Sequence, residues 1–299
     1  MLDTVIIQIP INYSSIIDHS QFTPSTRGVV DNPASFYKYT NNPTKTDKKS
    51  GVYKPRLTVI KRGNRIYLKA EFSVAKLLFG NNLDEIEESD FDEAVSKLRK
   101  IIEEKGVRLW THEIEKAEVL RFDPSKNIPL SKGYTSSFAI RELFKINLNQ
   151  KLDLTMFVYS NNGEELQVYS NCHSCVFYDK INDLNKPPKR ARDKDQTSQQ
   201  MDLFEYIKKE KRNLEVLRME TRLSKKRKVN QILEKLGYPQ NPVFKDIFKK
   251  ELCQKILKHY WEYFFNDNLF LFDIRNNPQT ILNLILKRNP KIGIKKAIY

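Results

Sequence analysis

Tyr178 and Lys180 stand two residues apart in the run His173-Ser174-Cys175-Val176-Phe177-Tyr178-Asp179-Lys180. The run is rich in β-formers and free of Gly and Pro, which predicts a strand. Strand side chains alternate between faces, so Ser174, Val176, Tyr178 and Lys180 share one face and Cys175, Phe177 and Asp179 the other. A Tyr hydroxyl is a weak nucleophile at its ordinary pKa of about 10, and a neighbouring ammonium favours the phenolate. The same ammonium would neutralise charge developing on a phosphate. Covalent phosphoryl chemistry on a DNA strand would use such a pair. The plainer reading is a Tyr and a Lys on a half-exposed strand, where both types are common.

Three carboxylates also fall inside expected strands: Glu71, Asp123 and Glu220. Strands are depleted in acids, so their placement carries information. Facing a common groove, they would bind a hard cation such as Mg²⁺ or Mn²⁺ through oxygen. Salt bridges are the alternative, since Arg121 shares a face with Asp123, and Arg218 and Arg222 flank Glu220 on another.

The Cys172-His173-Ser174-Cys175 sequence has the C-x-x-C spacing, yet a structural zinc site needs a second ligand pair, and Cys253 with His259 is a poor one. A redox C-x-x-C opens a helix rather than lying in a strand, so the spacing reads as coincidence.

The elements that must position these residues follow from composition and pattern. At 299 residues and 39% hydrophobic, the chain can bury a substantial core. Lys and Arg number 52 against 37 acids, a net +15 that favours polyanionic partners, nucleic acid before membrane. No apolar run is long enough to span a bilayer, and the N-terminus lacks the basic start and apolar core of a signal peptide. Three cysteines fit a reducing cytoplasm.

In chain order, Thr4–Ile9 is a strand, and residues 20–52, rich in Pro, Asn and Lys, read as a long loop with little structure of its own. A hairpin follows, from Arg56–Ile60 through a Gly63-Asn64 turn to Ile66–Phe72. Phe91–Lys105 carries apolar residues at helical spacing, capped by Ser89 and stopped by Gly106. Val107–Trp110 is a short edge strand, Lys116–Asp123 a stronger strand, and Ser136–Asn147 a helix. Thr155–Tyr159 and Glu165–Tyr169 pair around Asn161-Asn162-Gly163. After the Tyr178 strand come a charged loop at 185–200 containing the basic run Lys186–Lys194, a helix at Met201–Lys211 and the strand Val216–Leu223. Helices are expected at 229–236, 243–265 and 278–289. The pattern predicts an α+β domain over 1–224, an antiparallel sheet with helices packed on one face, and a helical segment over 225–299.

Taken in order, Met1-Leu2-Asp3, the run Glu71-Phe72-Ser73-Val74-Ala75-Lys76-Leu77-Leu78-Phe79-Gly80-Asn81-Asn82, Arg121-Phe122-Asp123, Tyr178-Asp179-Lys180 and Arg218-Met219-Glu220-Thr221-Arg222 resemble the replication initiators of filamentous bacteriophages, the gene II/gene X family. Related Tyr-x-Lys strands occur in plasmid rolling-circle initiators. The resemblance covers roughly residues 1–240.

It implies a five-stranded central sheet, similar to the wider HUH endonucleases, and a metal-dependent, site-specific nickase and strand transferase of the bacterial cytoplasm. The family's nucleophile maps onto Tyr178, its lysine onto Lys180, and its acids onto Asp123, Glu220 and Glu71, with Mg²⁺ or Mn²⁺ as cofactor. Attack by Tyr178 would leave a 5′-phosphotyrosine and a free 3′-OH, and a later 3′-OH attack would close the circle. The partners implied are single-stranded or supercoiled origin DNA, then host helicase and polymerase. Arg121, Arg218 and Arg222, with Lys225, Lys226, Arg227 and Lys228, are the candidate DNA contacts.

One departure is plain. The wider superfamily uses a His-hydrophobe-His metal pair, and here His19, His112, His173 and His259 are isolated. Alternation places His173 on the face away from Tyr178. The rival reading is a non-catalytic basic DNA-binding replication protein, which expects Tyr178 buried or without carboxylate company.

Overall fold

Leu2–Ile11 (β1) alternates large aliphatics with smaller or polar residues, and its inward side chains are almost wholly buried. Such a strand needs partners on both edges to satisfy its backbone, and it finds them. The computed structural model describes residues 1–25, 36–44, 46–47, 50–131, 133–144, 156–161, 164–185, 197, 199 and 214–265. Beside β1 lie β5 (Arg65–Ser73) and β6 (Glu118–Pro129). Outward from β5 come β4 (Arg56–Arg62), β3 (Phe36–Asn41) and the short β2 (Thr23–Pro24). Outward from β6 come β10 (Val216–Leu223), β9 (His173–Asp179), β8 (Glu165–Tyr169) and β7 (Phe157–Asn161). The order β2-β3-β4-β5-β1-β6-β10-β9-β8-β7 is antiparallel throughout.

The α+β class and the antiparallel sheet are as the sequence predicts, but the sheet has ten strands among the described residues, not five. Part of the difference lies in residues 20–52. Phe36-Tyr37-Lys38-Tyr39-Thr40 alternates β-formers and pairs with β4 along its length, although Pro- and Asn-rich flanks disguise it. The expected Val107–Trp110 strand reduces to one bridge between Val107 and Ile16, after which the chain turns into α3 (Thr111–Glu115). β6 runs six residues beyond Asp123, through Pro124, which sits where the register against β1 breaks and so withdraws no regular ladder bond.

The hairpin of β4 and β5 closes with Arg62 opposite Arg65, around Gly63 at φ 56°, a conformation glycine enters freely. α1 (Val74–Phe79) follows β5, with the Ser73 side chain accepting from Lys76 N as its N-cap and Gly80 in left-handed conformation as its C-cap. α2 (Phe91–Glu104) buries Phe91, Ala94, Val95, Leu98 and Ile102 along one stripe, the helical spacing read from sequence. α4 spans Ser136–Phe144 and α5 spans Lys180–Asn185.

The segment after β10 forms α6 (Lys226–Lys235), α7 (Phe244–Ile247) and α8 (Lys250–Phe265). Phe244 meets Phe72 and Phe91 at ring distances of 5.7 and 5.5 Å, and Phe177 meets Trp261 and Phe265 at 6.0 and 5.6 Å. These helices therefore share one hydrophobic cluster with the sheet's apolar face. The expected helices at 201–211 and 278–289, the run Lys186–Lys194 and the Asn162-Gly163 turn lie outside the described residues. No helix among the described residues is long and apolar enough to cross a membrane.

Candidate active site

The two faces of the central strands differ sharply. Leu217, Met219 and Leu223 of β10 turn to the helices, while Arg218, Glu220 and Arg222 project from the opposite face. The ladder sets their neighbours: Arg218 lies opposite Tyr178 of β9 and Asn127 of β6, and Glu220 lies opposite Val176 and Ser125. The same face carries Arg121 and Asp123 of β6. A ten-strand sheet thus has a polar patch at its centre, and most of that patch is buried: Asp123 is 0% exposed, Arg218 3% and Glu220 5%. Buried charge is tolerable only when paired and hydrogen-bonded.

Arg218 satisfies that condition with five partners. Its Nη2 donates to Asp3 Oδ2 at 2.7 Å and Ser125 Oγ at 2.9 Å. Its Nη1 donates to Asn127 Oδ1 at 3.0 Å and the Asn82 carbonyl at 3.2 Å, and its Nε reaches Glu220 Oε2 at 3.4 Å. Arg222 Nε donates to Glu220 Oε1 at 2.6 Å. Arg121 grips Asp123 bidentately, Nε to Oδ1 at 3.0 Å and Nη2 to Oδ2 at 2.6 Å, the strong geometry for this pair. The Tyr178 hydroxyl donates to Glu220 Oε2 at 3.3 Å.

Electrostatics follow from burial and these contacts. Burial pushes the Asp123 carboxyl up to about 7; Arg121 opposes the shift and Glu220 adds to it. Burial would also raise Glu220, but Arg222 and Arg218 together hold it below the usual carboxylate range. Asp3 is pulled down to about 2, because Arg218 and Lys180 outweigh its burial. Burial pushes the Tyr178 phenol well above 10, with Glu220 and Asp3 adding to the rise and Arg218 opposing it. Burial likewise drives Lys180 down to about 7, helped by Arg218.

These facts correct the expectation for the Tyr–Lys pair. Lys180 does not continue the strand; it opens α5 and is 1% exposed, its Nζ 5.7 Å from the Tyr178 ring centroid. An ammonium over the ring is a cation–π contact. The phenol is raised, so Lys180 does not make a resting phenolate. The reason is physical: desolvation of a phenolate, with Glu220 and Asp3 adding to it, exceeds what the Arg218 guanidinium returns.

Of the expected acids, Asp123 and Glu220 share a face and influence one another's charge. Glu71 sits on β5, with β1 between it and Asp123's strand, about 10 Å away at ordinary strand spacing. Both oxygens of Asp123 and both of Glu220 accept from arginines. As placed, these carboxylates do not form a cage for Mg²⁺ or Mn²⁺, and among the described residues no three His, Cys, Asp or Glu side chains gather to hold a metal ion.

His173 points into the core beside the Tyr260 ring at 5.4 Å, as its alternation predicts. Cys172, Cys175 and Cys253 are free thiols, and burial pushes Cys175 up to about 12.

Among the expected DNA contacts, Arg218 is enclosed, whereas the Arg121 and Arg222 side chains are 26% and 36% exposed at the rim. Lys225 and Arg227 are exposed at the start of α6, and Lys226 is tied to Glu118.

Sequence reasoning missed the roles of Asp3, Asn82, Ser125 and Asn127. The register of β1 against β6 breaks between Leu2 and Val5. Leu2 and Val5 both pair with core-facing residues of β6, Pro124 and Phe122, and the extra residue lets Asp3 turn to the polar face. The one available signal was an acid interrupting the apolar start of a buried strand. No protein-family model, curated protein or solved structure matches this chain.

Proposed function

We propose that the protein is a rolling-circle replication initiator that nicks single-stranded DNA at a specific site and transfers the strand, with Tyr178 as nucleophile. The observation that carries this reading is the Tyr178 hydroxyl, half-buried and donating to Glu220 Oε2 at 3.3 Å beside Arg218 and Arg222. The non-catalytic alternative expects a tyrosine that is buried or without carboxylate company; this one is half-buried and has the carboxylate. A basic chain of net +15 supplies the attraction to DNA.

In the proposed step, Tyr178 Oη attacks a phosphodiester phosphorus as its proton passes to the Glu220 carboxylate, which Arg222 and Arg218 keep ionised. The new Oη–P bond forms, the P–O3′ bond breaks, and the departing 3′ oxygen takes a proton from water. The products are a 5′-phosphotyrosine and a 3′-OH, and attack by a 3′-OH reverses the step to close a circle. Arg121 and Arg222, at the rim, meet the phosphates flanking the scissile one. Lys225 and Arg227 extend this basic surface from the start of α6, where the helix dipole gives cations no support. Cytoplasmic location and work alongside a host helicase and polymerase belong to the same proposal.

The test is incubation with single-stranded origin DNA in the presence of Mn²⁺, the cation class the resemblance implies. A covalent protein–DNA adduct is expected, and Tyr178→Phe should abolish it while lowering stability by no more than the loss of one hydrogen bond, about 1 kcal/mol. An adduct that persists in Tyr178→Phe overturns the assignment.

A further inference from the structure

The far end of the sheet carries an aromatic cleft that plays no part in the proposed cleavage. Tyr37 and Tyr39 of β3 project from the same face as Lys61 and Val59 of β4, their ladder partners. After β1 the chain makes two short 3₁₀ turns, Tyr13–Ser15 and His19–Gln21, which bring Tyr13 and His19 over that face. A cavity of about 270 Å³ opens between them, floored by Phe22 and Val59. Tyr13 and His19 lie at 4.7 Å with a 32° tilt, and Tyr37 and Tyr39 meet edge to face at 5.3 Å.

The walls are fixed rather than loose. Ile16 bridges to Val107, and the amides of Ile17 and Asp18 both donate to the Gly106 carbonyl. Burial, then Tyr13 and Tyr39, raises the Tyr37 phenol, as expected where three phenols converge. Yet Tyr13 is 65% exposed and Tyr39 36%. Half-open rings, one pair tilted and one edge to face, on walls held by backbone bonds offer ring faces on which a flat aromatic guest can stack. Charge is supplied at the rim. Lys61 Nζ lies 5.6 Å from the Tyr37 centroid, and Arg62 and Arg65 are exposed at the adjoining turn. The nearest acid in the turns, Asp18, is engaged by Ser20 and Gln21.

We propose that this cleft takes an unpaired nucleobase of a DNA single strand, stacked among Tyr13, Tyr37 and Tyr39, with the adjoining phosphate met by Lys61. The inference rests on the reading of the chain as a DNA-binding protein and not on cleavage. β3 lies six strand steps from β9, about 28 Å at ordinary spacing, and the cleft opens on the face opposite Tyr178. It is a second contact, independent of the nicking site.

The test uses the Tyr178→Phe protein, so that no cleavage intervenes, and an oligothymidylate carrying one 5-bromouracil. Photocrosslinking should attach the base to Tyr13, Tyr37 or Tyr39, located by peptide mass. The added double change Tyr13→Ala and Tyr39→Ala should weaken binding roughly 5- to 150-fold, the range for losing base–aromatic stacking, and an oligomer abasic at that position should lose a similar factor. Should the double variant melt early, Tyr13→Ala alone carries the measurement, because that ring is the more exposed. Unchanged affinity with crosslinks confined to other segments overturns the cleft assignment while leaving the nicking proposal intact. Displacement of the oligomer by an equal concentration of dTMP overturns the strand reading in favour of a free nucleotide. Failure to bind any oligomer overturns the inference together with the DNA reading beneath it.

Discussion

Arg218 and Asp3 lie 215 residues apart in the chain, and Arg218 Nη2 meets Asp3 Oδ2 at 2.7 Å. Asp3 Oδ1 also accepts from Ser73 Oγ at 2.9 Å, and Ser73 caps α1. One buried carboxylate thus ties β1, the end of β5 and β10 together. Arg218 in turn holds Glu220, the acceptor for the Tyr178 hydroxyl. The Tyr178 hydroxyl is therefore positioned through a relay that begins near the first residues of the chain.

Asp3→Asn should reduce stability by about 2–3 kcal/mol at neutral pH, the linkage value for a carboxyl drawn from its unfolded pKa to about 2. The folded pKa is depressed, so the stabilisation is complete above about pH 4 and is lost as pH falls through 2. Urea denaturation at pH 7 and at pH 2.5 measures both variants. The deficit of Asp3→Asn should shrink at the lower pH; an equal deficit at both would mean that the ion pair is not its source.

Glu220→Gln and Asp123→Asn should part company. The first leaves Arg218 and Arg222 facing a neutral amide, a loss of about 3 kcal/mol, toward the low end for buried pairs because Arg222 is about a third exposed. It should also stop adduct formation, since no carboxylate remains to accept the Tyr178 proton. Asp123 is raised to about 7. Its folded form binds a proton more tightly than the unfolded chain between about pH 4 and 7, so its contribution to stability falls as pH rises across that window. Asp123→Asn should remove that slope and melt near wild type at pH 5. A variant Glu220→Gln that forms adduct at the wild-type rate would displace Glu220 from its role.

Lys180→Met fills the same volume without the charge. Burial depresses Lys180 to about 7, whereas the unfolded side chain titrates near its ordinary value. Between those two values the unfolded state holds the extra proton, so wild-type stability rises with pH, by up to about 1.4 kcal/mol per unit. Lys180→Met should be the more stable protein at pH 6, and its advantage should shrink steadily from pH 7 to 10. Parallel melting curves across that range would show that Lys180 keeps its proton when folded.

Neutralising Lys225 and Arg227, the exposed members of the run that opens α6, should flatten the plot of log affinity against log salt. For single-stranded DNA the slope should fall by about 0.7 for each phosphate the variant no longer neutralises. Lys226→Gln should also break the ion pair with Glu118, so it tests folding as well as binding. An unchanged slope in the Lys225 and Arg227 variant would place that surface away from the nucleic acid.

Most of what is local was legible in the sequence. Alternation placed Arg218, Glu220 and Arg222 on one face of a strand, and His173 on the face away from Tyr178, because the two-residue period of a strand is fixed by backbone geometry. Helical spacing set the buried stripe of α2 from Phe91 to Ile102. The tertiary structure decided the rest. Pairing alone revealed that Phe36–Asn41 is a strand, since its evidence is the ladder it forms with β4. The break in register near Leu2, which turns Asp3 toward Arg218, depends on how β1 meets β6; the acid in an apolar strand start marks the place but not the partner. Whether Glu220 and Asp123 would meet cations from solvent or from the chain was open in the sequence, for a carboxylate accepts from either. Packing brought three arginine guanidiniums onto those oxygens. The charge state of Tyr178 and Lys180 was likewise beyond the sequence, because it is set by desolvation, and desolvation exists only once the surrounding sheet and helices have closed over the side chains.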